Sequence, residues 1–190
     1  MKINLYDFDK TIYNGDSSFH FILYSFTHHP KTLLNIPRMA FAAIRHYMGF
    51  ISKTEMKNSI FAFVKYLKDI DTDIDKFWKT HKKNIKKFYM DKNHKNDVII
   101  SASPEFLLEG ICNELGVKKM MATVVDKKTG KISGYNCHDV EKVRRLNEVY
   151  DDYEVMESYS DSKADIPILK LAKKAYYVKG EKLSEAKFEN

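Results

Sequence analysis

Two aspartates lie two positions apart near the start of the chain, in the run Asp7-Phe8-Asp9-Lys10-Thr11. A carboxylate can attack phosphorus directly and form a covalent intermediate, which divides one difficult displacement into two easier steps. A second carboxylic acid beside it can protonate the departing alkoxide. Acidic residues near strand ends also cap helices and flank turns, so the pair alone leaves both interpretations open.

A second group of polar residues follows the apolar residues 98–100, in the run Ser101-Ala102-Ser103-Pro104. If a helix starts here, its first N–H groups and the nearby hydroxyls would face an anion such as phosphate. Ser103 and Pro104 also suit an ordinary helix start, as the capping residue and the first helical residue. We therefore assign Ser101 and Ala102 to substrate binding.

Acidic residues also follow a third predicted strand, because Asp161 and Asp165 come after residues 154–157. Carboxylates gathered from separate loops repel each other unless a cation joins them, and hard oxygen ligands select Mg²⁺ over softer metals. Magnesium is therefore the implied cofactor. Lys142 could neutralise phosphoryl oxygens, although a single lysine at the beginning of a helix is usually solvated.

Strands and helices must alternate to bring these loops together. Residues 3–5 are apolar and end at Asp7, which favours a buried parallel strand. Further strands are predicted at residues 98–100, 122–125, 154–157 and 176–178, helices at 105–115, 141–150 and 166–173, and a hairpin turn at 127–130. This alternation predicts a mostly parallel sheet, and open sheets of this kind bind ligands at the carboxyl ends of their strands.

An all-helical insert is predicted between the first strand and the rest. Helices are expected from Ser17 or Ser18, at 32–48, at 53–67, and from about residue 71 through Phe88. We place this cap at residues 16–76 and the α/β core at 1–15 and 77–190. The predicted fold class is α/β, a Rossmann-like doubly wound parallel sheet with an inserted all-helical cap domain.

Composition is typical of a folded globular protein, with 44% hydrophobic and 31% charged residues in a chain of 190. The net charge of +6 is concentrated in residues 17–95, which hold 15 Lys/Arg against 6 Asp/Glu. Cys112 and Cys137 have no metal-ligand spacing, and Met1 leads into a strand-like segment rather than an apolar leader. These features predict a cytoplasmic location, with peripheral membrane contact as a further expectation.

Taken in order, these residues resemble the four motifs of the haloacid-dehalogenase superfamily over essentially the whole chain. The resemblance implies that Asp7 is the nucleophile and that Asp9 is the general acid and then the base. It implies phosphate contacts for Thr11 and Ser101. Lys142 would clamp the charge of the phosphoryl group.

The resemblance also implies a ligand set for Mg²⁺. Asp7 and Asp161 would hold the ion together with the main-chain carbonyl of Asp9. Asp165 would orient either Lys142 or the metal-bound water. Each of these roles is an expectation about the site at the carboxyl edge of the sheet.

The helical insert resembles the small cap of the phosphoserine-phosphatase-like branch. Residues 159–162 with Asp165 are most similar to bacterial phosphatidylglycerophosphatase C, although Lys10 stands where glycine is common and Ser160 departs from the commoner Gly-Asp pair. Asp16 occupies the place of an acidic substrate contact in phosphoserine phosphatases, but it would also suit the start of a helix. The implied substrate is a small phosphorylated metabolite or a lipid head group.

The predicted cap is also rich in apolar residues between positions 33 and 51, interrupted by Arg38 and Arg45 among others. This segment is too short and too interrupted to span a membrane. It could form the core of the cap, or it could form an interfacial face that contacts anionic lipid. No nucleic-acid partner is predicted, because no zinc, homeodomain or aromatic-stacking motif accompanies the positive charge.

Other classes of function make different demands on the same residues. A phosphotransferase or phosphonatase of the same superfamily would share Asp7 but should differ at Asp9. A non-enzymatic protein that binds anions or nucleic acid would be expected to lack one of Asp7, Asp9, Lys142 and Asp161, and all four are present. The sequence therefore predicts a Mg²⁺-dependent phosphomonoester hydrolase.

Overall fold

The computed structural model describes residues 1–188, which fold around one six-stranded sheet with the order β3-β2-β1-β4-β5-β6. The strands are β1 (Lys2–Tyr6), β2 (Asp97–Pro104), β3 (Lys119–Thr123), β4 (Glu154–Ser160), β5 (Ala172–Lys179) and β6 (Lys182–Glu185). The first five pair in parallel, and β6 runs antiparallel to β5. The predicted Rossmann-like, mostly parallel sheet is confirmed.

Helices surround the sheet and form the insert between β1 and β2. They are α1 (Ser17–His28), α2 (Ile36–Tyr47), α3 (Lys53–Phe61), α4 (Ile70–His81), α5 (Lys87–Met90), α6 (Glu105–Glu114), α7 (Val140–Val149) and α8 (Ile166–Leu169). Short 3₁₀ segments adjoin several of them, at Pro30–Asn35, Ala62–Tyr66, Lys82–Asn84 and Lys163–Asp165. Within residues 1–188, no helix has the length and apolar character needed to cross a bilayer.

Two predicted helices end earlier than the sequence pattern suggests. The helix expected to continue through Phe88 stops at His81, because Ile85 takes an extended conformation and bridges to Tyr13. The helix expected at 166–173 stops at Leu169, because Ala172 already pairs with Val155 in the sheet. In both places tertiary pairing overrides local helical periodicity.

Two strand predictions were also inaccurate. The strand expected at 122–125 lies at Lys119–Thr123, because Val125 instead pairs with Ile132 across the predicted hairpin turn. Strand β6 was missed, since its four residues are all exposed and give no apolar alternation. Strand β6 is the edge of the sheet and pairs with β5, so the pairing is specified by a tight turn rather than by burial.

The cap and the sheet share one apolar cluster. Tyr6 and Phe8 from β1 and the loop after it pack in the same cluster as Phe21 of α1 and Phe77 and Trp78 of α4. The indole N–H of Trp78 also donates a hydrogen bond of 2.6 Å to the carbonyl of Leu107. Helix α4 therefore runs unbroken across the border that the sequence analysis placed between residues 76 and 77.

A hairpin of the core also meets the cap at very close range. Gly130 has a φ of +72°, and a Cβ built on it would lie 2.2 Å from the main-chain oxygen of Phe61 at the end of α3. Nearby, the side-chain oxygen of Asn58 accepts a 2.7 Å hydrogen bond from the N–H of Ile132. Glycine is therefore required at this contact by both its backbone conformation and the lack of space.

We expect Gly130→Ala to lower the free energy of unfolding by about 2–4 kcal/mol, because it adds a backbone clash to the cost of a positive φ. Gly134→Ala is the matched control, since Gly134 has a φ of +73° but no atom within 4 Å of the built Cβ. Gly134→Ala should lower the free energy of unfolding by only about 1 kcal/mol. Urea unfolding of both variants measures this, and equal losses would contradict a close backbone contact.

Candidate active site at the carboxyl edge of the sheet

The predicted site residues come from loops that follow three neighbouring strands. Asp7 follows β1, residues 101–103 end β2, and Asp161 follows β4, so the order β2-β1-β4 places the loops side by side. A cavity of about 460 Å³ lies over this edge. Its walls include eight of the nine predicted site residues, namely Asp7, Asp9, Asp16, Ser101, Ala102, Lys142, Asp161 and Asp165.

Lys142 is buried beside two carboxylates rather than solvated. It lies in the first turn of α7, and its side chain is 2% exposed. Its ammonium group lies 2.7 Å from Asp7 Oδ1 and 2.8 Å from Asp165 Oδ1. Ser160 donates a further hydrogen bond of 2.6 Å to Asp165 Oδ2. Asp165 therefore holds the ammonium group of Lys142 in place, and Lys142 in turn holds the carboxylate of Asp7, the candidate nucleophile.

The charges of this cluster are set by burial and by the ion pairs. Burial alone would lower the pKa of Lys142, but Asp7 and Asp165 outweigh it and the pKa is raised. Burial also raises the pKa of Asp7 above the usual value for a carboxyl group, and Lys142 limits that rise. Lys142 is therefore a permanent cation at the floor of the cavity.

The Asp9 carboxylate is held by groups from the start of α1 and from the end of β2. Its Oδ1 accepts a 2.6 Å hydrogen bond from the N–H of Ser17, and its Oδ2 accepts one from the Ser103 hydroxyl. Burial raises the pKa of Asp9, and the nearby charge of Asp16 adds to the effect. A raised pKa favours the protonated form, which a general acid needs.

Thr11 does not line the cavity, and its role as a phosphate ligand stays a prediction. Its side chain is fully buried. The hydroxyl donates to Asp7 Oδ2 at 3.3 Å and accepts a 2.9 Å hydrogen bond from the N–H of Asp161. Its position therefore ties the loop after β1 to the loop after β4 and orients Asp7.

Lys10 takes the backbone conformation that glycine adopts most easily. Its φ is +58°, and Lys86 donates a hydrogen bond to its carbonyl oxygen. Glycine would adopt this conformation without a steric cost. The loop keeps its shape here with lysine, at some cost in strain.

Ser101 and Asp16 occupy the places expected for them. Ser101 is 1% exposed and accepts a 3.1 Å hydrogen bond from the N–H of Ser103, which leaves its own hydroxyl proton free to donate. Asp16 caps α1 by accepting a 2.9 Å hydrogen bond from Phe19, as the alternative interpretation of this residue stated. It also lines the cavity, so its capping role does not remove it from the site.

The family described as haloacid dehalogenase-like hydrolase matches residues 5–170. The chain belongs to this family. No curated protein matches the sequence.

Solved structures resemble the fold of this hydrolase at low sequence identity. A protein of unknown function from Bordetella pertussis Tohama I has a TM-score of 0.75 at 18% identity, covering 92% of this chain and 88% of its own. A phosphoserine phosphohydrolase-like protein from Francisella tularensis has a TM-score of 0.55 at 16% identity, covering 92% and 86%. A phospho-aspartyl intermediate analogue of phosphoserine phosphatase has a TM-score of 0.51 at 17% identity, covering 92% and 84%.

The donor set of the hydrolase fits Mg²⁺. Neither Asp9 nor Asp161 forms an ion pair with any residue in the range 1–188, whereas Asp7 and Asp165 share the buried Lys142. The Asp161 carboxylate is therefore not neutralised by a cationic partner within this range. Over the same range, no cluster of three or more His, Cys, Asp or Glu side chains is placed to hold a metal.

The absence of such a side-chain cluster from residues 1–188 is consistent with the expected ligands, which are two carboxylates and one main-chain carbonyl. The Asp9 carboxylate is turned toward Ser17 and Ser103, so it does not join Asp7 and Asp161 as a third acidic ligand. Mg²⁺ usually takes one or two carboxylates and fills its remaining positions with water and phosphate oxygens. Asp7, Asp161 and the carbonyl of Asp9 are the groups that would hold it.

Lys57 is a cavity residue that sequence reasoning missed. It projects from α3 of the cap, and its ammonium group donates to the carbonyl of Ala102 and to Asn136 Oδ1, both at 2.8 Å. The same carbonyl accepts a 3.0 Å hydrogen bond from Thr123. A lone lysine on an amphipathic helix gives no sequence signal for such a contact, because most such lysines are solvated.

We expect the stability of the hydrolase to depend on Lys57 at alkaline pH. Burial lowers the pKa of Lys57 from 10.5 to about 8. Between these values the unfolded chain binds more protons than the folded one, so the free energy of unfolding rises with pH. Between pH 7.5 and 9.5, the free energy of unfolding of the wild type should therefore rise by about 1–2 kcal/mol relative to that of Lys57→Met.

Urea unfolding at the two pH values measures this difference. Lys68→Met is the matched control, because Lys68 is exposed and does not line the cavity. The control should follow the wild-type dependence on pH. If Lys57→Met also followed it, Lys57 would not be desolvated in the folded protein.

Proposed function

We propose that this hydrolase is a Mg²⁺-dependent phosphatase that cleaves phosphomonoesters through a phosphoaspartyl intermediate on Asp7. The observation that carries the proposal is the fully buried ammonium group of Lys142, held between Asp7 and Asp165 at the floor of the cavity. A fixed cation in contact with a carboxylate nucleophile would neutralise the oxygens of an incoming phosphoryl group. A buried lysine with no such task would be a costly feature of a core.

In the first step, a carboxylate oxygen of Asp7 attacks phosphorus while the bond from phosphorus to the ester oxygen breaks. Asp9 donates its proton to that departing oxygen, which leaves as an alcohol. The raised pKa of Asp9 supports this role, because the protonated form is then available closer to neutral pH. Ser101 lies at the edge of the cavity with a hydroxyl proton that can be donated to a phosphoryl oxygen.

In the second step, Asp9 takes a proton from a water molecule as that water attacks phosphorus. The bond between phosphorus and Asp7 breaks, which releases inorganic phosphate and restores the free carboxylate. Bound Mg²⁺ would supply neutralising charge for the phosphoryl oxygens and for Asp7. Thr11 and Lys142 hold the two oxygens of Asp7, so the carboxylate keeps its orientation through both steps.

The substrate we propose is the phosphomonoester of a small metabolite or of a lipid head group. A volume of about 460 Å³ is in the range of pockets that enclose small molecules. Cationic and apolar side chains from the cap, including Lys53, Met39 and Ile60, form the wall opposite the carboxylates. Such a wall suits a substrate with a polar or anionic group beyond the phosphate and some apolar surface.

Asp7→Asn should abolish hydrolysis of p-nitrophenyl phosphate, because an amide cannot act as the attacking carboxylate. Steady-state assays with added Mg²⁺ measure the loss, and acid-quenched enzyme should contain no covalently bound phosphate. The matched control is Asp91→Asn, at an exposed aspartate far from the cavity, which should keep wild-type turnover. Excess EDTA should silence the wild type, and near-wild-type turnover of Asp7→Asn would refute the covalent mechanism.

Asp9→Asn should slow turnover by about 10²- to 10⁴-fold, because it removes the acid of the first step and the base of the second. With p-nitrophenyl phosphate the leaving group needs little protonation, so the second step should suffer more. The variant should therefore accumulate phosphoenzyme, which acid quenching with labelled substrate detects. A variant with unchanged turnover and no accumulation would show that Asp9 is not the proton carrier.

A further inference from the structure

A dense group of exposed apolar side chains covers one part of the cap. Of the nineteen large hydrophobic residues that are exposed in the described chain, eight lie between positions 33 and 50. We call this surface the cap face; its members are Leu33, Leu34, Ile36, Phe41, Ile44, Tyr47, Met48 and Phe50. Clusters of this kind mark binding sites on soluble proteins, whereas single exposed apolar residues do not.

Helix α2 is the centre of the cap face, and its large apolar side chains are exposed to solvent, unlike those of an ordinary surface helix. Its single buried residue is Ala42. Phe41 is 63% exposed, Ile44 is 57% exposed and Tyr47 is 93% exposed. A surface helix usually turns its large apolar side chains toward the core. The alternative that this segment forms the core of the cap is therefore not what the structure shows.

The charge around the cap face is mostly positive, although the exposed Glu55 at the start of α3 interacts with the charge of Arg45. No aspartate or glutamate occurs in residues 17–54, whereas Lys31, Arg38, Arg45 and Lys53 do. Arg38 and Arg45 are three residues before and four residues after Phe41, so they flank it on one side of α2. The guanidinium group of Arg45 lies 5.8 Å from the centre of the Phe41 ring. Apolar side chains bordered by cations are typical of helices that lie in the interface of an anionic bilayer.

We propose that the cap face binds the surface of anionic lipid bilayers, with α2 lying in the plane of the interface. The apolar side chains would enter the boundary between head groups and acyl chains, and the four cations would contact lipid phosphates. A second copy of this chain is a poorer occupant, because its matching face would bring cations against cations. An acidic protein partner would satisfy the charges but would not require so many exposed apolar groups.

The cap face is also joined to the cavity. Met39 belongs to α2 and lines the cavity, while Phe41 and Ile44 on the same helix face solvent. One helix therefore forms both a wall of the site and the centre of the exposed patch. Lipid binding through the cap face would place that wall of the cavity beside the bilayer, whichever phosphomonoester the site accepts.

Vesicle flotation with the full chain tests this inference without relying on catalysis. We expect binding to vesicles of phosphatidylcholine with 30% phosphatidylglycerol at low salt, and at least tenfold weaker binding to pure phosphatidylcholine, since each cation near an anionic surface strengthens binding severalfold. Binding should weaken as salt rises. Absence of binding to the anionic vesicles at low salt would overturn the inference, whatever the phosphatase activity.

Substitutions separate the apolar contribution from the charge. Phe41→Gln with Ile44→Gln should weaken binding by about tenfold or more, because two interfacial side chains are lost while a good helix former is kept. Arg38→Gln with Arg45→Gln should weaken binding to the anionic vesicles and remove most of its dependence on salt. The matched control is Tyr135→Gln with Leu183→Gln, at exposed apolar residues outside the cap face, which should bind as wild type does.

Circular dichroism and the urea midpoint establish that each variant is folded before it is tested. If the control pair lost binding as strongly as the cap-face pair, the cap face would not be the binding surface and the inference would fail. Light scattering after size exclusion provides an independent check. A stable dimer that the Phe41 and Ile44 substitutions dissociate, together with no vesicle binding by wild type, would instead assign the face to self-association.

Discussion

The buried contact of Lys142 with Asp7 and Asp165 is the interaction on which the site depends. It joins the loop after β1, the first turn of α7 and the segment after β4, so it fixes three separate parts of the chain around one charge. Removal of one partner from such a buried group leaves a charge unpaired, at a cost of about 3–5 kcal/mol. The same contact that organises the catalytic edge therefore also contributes to the stability of the fold.

The sequence predicted the residues of this edge better than their individual contacts. The Asp7–Asp9 pair, Ser101 and Asp161 lie at or just after strand ends, and parallel strands must bring such ends together, whereas Lys142 was expected here only from the family resemblance. The sequence could not indicate that Thr11 would face inward, because a hydroxyl can equally bind substrate or another loop. Lys57 was missed for the same kind of reason, since its partners Ala102 and Asn136 are distant in sequence.

The larger errors in the fold share one physical cause. Ile85 and Ala172 each continue a local pattern, yet each pairs with a strand or loop remote in the chain, while Val125 leaves the sheet to pair within its own hairpin. Strand β6 shows the reverse case, in which four exposed residues pair without any apolar pattern to reveal them. Local pattern also did not predict the exposed apolar face of α2, because periodicity identifies the apolar side of a helix but not whether that side meets the core.

The uninterrupted course of α4 limits how the cap can move over the cavity. A hinge needs a short segment whose backbone torsions can change, and a hydrogen-bonded helix offers none at the junction near residue 76. Trp78 also lies edge-on to Phe8 in the loop after β1 and donates a hydrogen bond to the carbonyl of Leu107 in α6. Residue 76 is therefore not a hinge, so if the insert rotated as a rigid flap, the backbone torsions would have to change outside α4, before Ile70 or after His81.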